Sequence, residues 1–176
     1  MMEFINKLEK TVLGWAKDVP HLPIFAKKWL AVNVWWIVLI GAILSGIAAL
    51  VALNSLYAVT TLLSAPSNAY YVYAGYNNIV ILQSVVSLVF LIATGILLAL
   101  AVKPLKALEK KGWVLLFITL LLEALSVVVN AVLSFSVLGF IMSLLFGAIG
   151  LAIGAYFIFE IHGQFGHTPK ATIKKA

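Results

Sequence analysis

Cysteine is missing from all 176 residues. That excludes disulfides, thiolate nucleophiles, cysteine-ligated zinc and iron–sulfur clusters, and says nothing about redox compartment. Arginine is missing as well, so all twelve basic residues are lysines. Charge of either sign is scarce, at 10 % of residues. An ordinary soluble domain carries about 25 %, so this chain has too little to cover a water-facing surface.

Catalytic signatures are lacking too. No HExxH or HxxEH pattern, Walker motif or dinucleotide fingerprint occurs. Glu160 and His162 are two apart, which puts them on different faces of a helix and makes a shared metal poor geometry. Haem or quinone ligation inside a bilayer lacks its usual histidine. No nucleophile–base–acid set can be assembled, so we expect no catalytic residues, no metal, no cofactor and no enzyme activity. The net charge of +6 does not point to nucleic acid, because the lysines flank apolar runs and neither a base-reading motif nor an aromatic RNA platform accompanies them.

What the chain has in abundance is apolar length. Hydrophobic residues make up 64 %, and the mean hydropathy is +1.12. Crossing a bilayer core takes about 20 apolar residues. Four runs meet that length, at about 29–57, 79–102, 113–134 and 138–161. The last two share one apolar stretch from Trp113 to Ile161, too long for one crossing and right for two. Ser134-Phe135-Ser136 is the expected turn, although no proline or glycine marks it. The fold class is therefore all-α: a polytopic membrane protein with four transmembrane helices in an antiparallel bundle.

The flanks complete the layout. Residues 1–18 place Phe4, Ile5, Leu8, Val12 and Trp15 near one face, which predicts an amphipathic helix in the headgroup plane rather than a cleavable signal peptide. Pro20 and Pro23 then break that helix. Residues 64–78, rich in tyrosine, read as an interfacial cap. Residues 162–176 read as a flexible basic cytoplasmic tail, mobile from Gly163 onward. Lysines occupy the N-terminal segment, the loop around 103–111 and the tail, whereas 58–78 and 134–138 have none. By the positive-inside rule both termini and the lysine loop face the cytoplasm, in a cell (plasma or inner) membrane. Trp29, Trp35, Trp36, Trp113 and Tyr156 fall near the inner interface, as aromatic belts do.

Two patterns inside the spans invite a role. Folding the second and third runs into a hairpin about the lysine loop predicts same-depth pairs of Gln83 with Asn130, Ser87 with Ser126, and Thr94 with Thr119. Each set keeps one helical face, so the two form a polar seam. Glu123 lies on that stripe, where a charge costs roughly 2.5–3.5 kcal/mol and no cation occupies the same depth. It is expected as a neutral acid donating to a seam oxygen such as Ser87, Thr94 or a backbone carbonyl. One reading makes it a structural hydrogen bond between helices. The other makes it a proton- or cation-carrying group in a translocation path.

The second pattern is small residues at three- and four-residue intervals: Gly139, Ser143, Gly147, Gly150 and Gly154 in the fourth run, Gly41, Ser45 and Gly46 in the first. Such stripes allow close helix approach, within the chain or between copies. Glu160 is expected to reach Lys110 or Lys111. The functional expectation is a non-enzymatic interaction, accessory or assembly component, with the lipid bilayer as its surroundings and a homo-oligomer or another membrane protein as partner. The alternative is a small proton- or cation-coupled transporter or channel using Glu123.

Overall fold

The computed structural model describes residues 20–63, 76–134 and 136–166. Residues 1–18, most of the tyrosine-rich segment and the tail beyond Gly166 lie outside the described residues. Four helices account for most of the rest: α1 (Ile24–Leu63), α2 (Tyr76–Lys106), α3 (Lys110–Leu133) and α4 (Val137–Ile161), followed by a short 3-10 turn at His162–Gln164. No strand occurs among the described residues. All four helices are long and apolar enough to cross a membrane. Helices suit that setting because each satisfies its own backbone hydrogen bonds where water is absent.

The helices overrun the apolar runs, on the lysine side as well as on the other. Lys27, Lys28, Lys103, Lys106, Lys110 and Lys111 are all helical. Lysine is a good helix former whose long stem can lie along apolar surface, so helicity need not stop where hydropathy does. α1 has 40 residues; at 1.5 Å per residue it is about 60 Å long. That is roughly twice a bilayer's hydrocarbon thickness.

Two turns set the register. α2 carries Pro104 in its last turn, and the ring's missing N–H helps end the helix. The Glu109 amide donates to Pro104 O at 2.9 Å and the Leu108 amide to Leu105 O at 3.0 Å. With Leu108 at φ 53°, this is a Schellman stop with leucine in the left-handed position that glycine usually fills. Gly112 then passes against the α2 backbone: a Cβ there would lie 2.6 Å from Leu105 N.

Serine hydroxyls build the turn between α3 and α4. Ser134 donates to Ala131 O at 2.8 Å, and Ser136 caps α4 by accepting from the Gly139 amide at 3.4 Å. Side-chain caps thus replace proline or glycine.

The core sits at the lysine-bearing end. Ala31, Val34 and Val38 from α1 meet Ala101 and Leu105 from α2, Trp113, Leu116 and Phe117 from α3, and Phe159 and Ile161 from α4. Helices adjacent in sequence pack together, whereas α1 and α4 touch much less. At the other end apolar side chains face outward, with Val137 80 % and Leu138 67 % exposed.

Candidate functional site

α2 and α3 bring the polar stripes together, one helical turn out of the expected register. Thr94 Oγ1 donates to Glu123 Oε1 at 2.6 Å, and Ser87 Oγ donates to Asn130 Oδ1 at 2.6 Å. Asn130 Nδ2 reaches back to Ser126 O at 2.9 Å and Ser126 Oγ at 3.2 Å. Ser87 therefore meets Asn130 rather than Ser126, and Thr94 meets Glu123 rather than Thr119. Thr119 turns to its own helix, donating to Leu115 O at 2.9 Å. Gln83, half-buried, has no side-chain partner among the described residues. The cause is the hinge: α2 continues to Lys106 and the chain reverses at Leu108–Glu109, two residues later than the expected pairs require.

Glu123 also borders a cleft of about 370 Å³ between α3 and α4, closed on one side by Leu98 of α2. Of the residues lining it, only Thr119 and Glu123 have polar side chains. Thr94 occupies one carboxyl oxygen; the other has no protein donor among the described residues. Chemically this is an apolar recess with one hydrogen-bonding group on its wall.

The small residues divide by task. Gly147 lies so close to Val127 that a Cβ would overlap its methyls, and a Cβ at Gly154 would touch Leu120 at 3.4 Å. Gly139 serves the serine turn, where Ser134 Cβ would lie 3.2 Å from an added Cβ. Between α1 and α2, Gly41 faces Leu98 and Ser45 faces Gly95. Gly95 and Gly112 are contact glycines that the stripe pattern missed, since each is isolated in its helix. Gly46 and Gly150 face open space, with nothing within 4 Å of an added Cβ.

A second carboxyl organises the lysine-bearing end. Glu160, 8 % exposed, receives the Leu22 amide at 2.9 Å. His21 Nδ1 lies 2.6 Å from Oε1 and Lys27 Nζ 3.0 Å from Oε2. The sequence points to Lys110 or Lys111 as partners; instead His21 and Leu22 come from the segment before α1, between two prolines that mark only a helix break, and Lys27 from the first turn of α1. Tyr156 OH donates to Pro20 O at 2.9 Å. Trp113, fully buried, donates its indole N–H to Ile158 O at 2.8 Å, a carbonyl in the last turn of α4 where intrahelical donors run out. Ordered contact continues past Gly163: Phe165 is 5 % exposed, and the Gly166 amide donates to Leu108 O at 3.2 Å.

Among the described residues, no three histidine or acidic side chains gather as a metal site. The two carboxyls and their partners define a four-helix apolar protein with interhelical polar clasps. A comparison with protein-family models, curated proteins and solved structures finds no match to this chain.

Proposed function

We propose that this chain is a non-enzymatic integral membrane protein, crossing four times as an antiparallel bundle with its lysine-bearing loop and both termini in the cytoplasm. It acts as an interaction, accessory or assembly component that associates with its own copies. The observation that carries this reading is how the intramembrane polar groups are used. Glu123, Thr94, Ser87, Asn130 and Ser126 bond one another across or along α2 and α3, and the cleft beside Glu123 is otherwise lined by apolar residues and Thr119. Bonds of this kind fix register more than they add stability, at about 0.6 kcal/mol each. The exposed glycine Gly46 offers a close-approach surface for another helix, whereas Gly150 opens onto the cleft beside Glu123.

A second reading, a proton- or cation-coupled transporter, draws on one feature: the cleft beside the unoccupied oxygen of Glu123. Glu123→Gln separates the two. The amide keeps the shape and still accepts from Thr94, so the interaction reading expects unchanged detergent-resistant assembly and unchanged cellular phenotype. Loss of pH-dependent flux in proteoliposomes by a well-assembled Glu123→Gln protein would favour transport instead.

A further inference from the structure

At the junction of α2 and α3 lies a hollow of about 500 Å³, bordered by Leu100, Lys103 and Pro104 on one side and by Glu109, Lys111 and Leu115 on the other. It is amphipathic along its length. Lys103, Glu109 and Lys111 are exposed at the loop end, and Leu100, 59 % exposed, lies one turn further into the apolar run of α2.

Among the described residues these charges, on Lys103, Glu109 and Lys111, have no ion-pair partner. By contrast, Lys27 is bound to Glu160 and Lys106 sits over the Trp35 ring at 4.8 Å. Glu109 occupies the N-cap of α3 without making a side-chain cap, and the first turn of that helix holds no acidic residue. The partial positive charge of the helix start therefore adds to that of the lysines.

We propose that this hollow binds the headgroup of an anionic glycerophospholipid of the phosphatidylglycerol type. Lys103 and Lys111 take the phosphodiester, Glu109 accepts from a headgroup hydroxyl, and an acyl chain runs along Leu100 and Leu115. Two lysines and one carboxylate leave a net charge of +1, which a phosphodiester balances. Phosphatidylcholine is zwitterionic and has no hydroxyl to offer Glu109. The inference rests on the membrane reading above but not on any role for Glu123.

The test is native mass spectrometry of the full chain, extracted in detergent and supplied with phosphatidylglycerol or phosphatidylcholine. Phosphatidylglycerol adducts are expected to persist. They should fall about tenfold or more in Lys103→Gln/Lys111→Gln, since each lysine near a headgroup contributes appreciably to anionic-lipid binding. A charge-matched control, Lys28→Gln/Lys170→Gln, should retain them. Equal retention of the two lipids, or equal loss in the control, overturns the site. Displacement of the adduct by millimolar inorganic phosphate would reassign it to a free anion and overturn the lipid assignment. A chain that stayed monodisperse without detergent would instead overturn the membrane reading, so the two failures are distinguishable.

Discussion

Gly112 and Gly147 have no side chain because their neighbours already fill the space. At Gly112 the obstacle is the backbone of α2, with Leu105 N 2.6 Å from an added Cβ. Backbone cannot rotate aside as a side chain can, so Gly112→Ala should destabilise the fold by roughly 1–3 kcal/mol, as overpacking does, read as a lower midpoint in a detergent-phase thermal melt. At Gly147 the obstacle is the Val127 side chain. Gly147→Ala should destabilise in the same assay, and adding Val127→Ala should restore most of the loss; a double variant no better than the single one would refute the contact. Trp113→Phe keeps a ring against Phe117 and Phe159 but strands the Ile158 carbonyl. Leaving a buried acceptor unpaired costs about 1–3 kcal/mol, and the same melt would detect it.

At the scale of elements, hydropathy and lysine placement made four helices legible. The serine turn was legible too, because two apolar crossings of fixed length leave it little room to move. Register was not. It depends on where α2 stops, and that stop uses leucine in a left-handed conformation, which has no compositional signature. A two-residue displacement of the hinge moves every facing pair by a full turn, so Thr94 meets Glu123 where Thr119 was expected. The absence of native cysteine makes this testable with engineered pairs. Ser87→Cys/Asn130→Cys should cross-link efficiently under copper-phenanthroline oxidation, whereas Gln83→Cys/Asn130→Cys and Ser87→Cys/Ser126→Cys should not. Cross-linking of either latter pair at the efficiency of the first would restore the earlier register.

Across the whole molecule, packing is uneven. The buried aromatics and the Glu160 clasp share the lysine-bearing end, while α1 and α4 touch little elsewhere. The segment before α1 is tied to α4 by polar contacts: His21 and the Leu22 amide on the Glu160 carboxylate and Tyr156 on Pro20, while Lys27 in the first turn of α1 shares that carboxylate. Sequence could not show this, because partners about 140 positions apart meet only once four helices have folded. Replacing Glu160 by alanine leaves the Leu22 amide without its acceptor and Lys27 without its counter-charge. His21 is half exposed, so water can replace part of what is lost, and the global destabilisation should stay near 1–3 kcal/mol. The local effect should be larger than the global one. Amide exchange at Leu22 should accelerate strongly in Glu160→Ala, whereas amides near Trp113 should change only as far as the global loss dictates. Were Leu22 exchange unaltered, the clasp would not be holding the segment, and α1 would have to be positioned by its apolar core contacts alone.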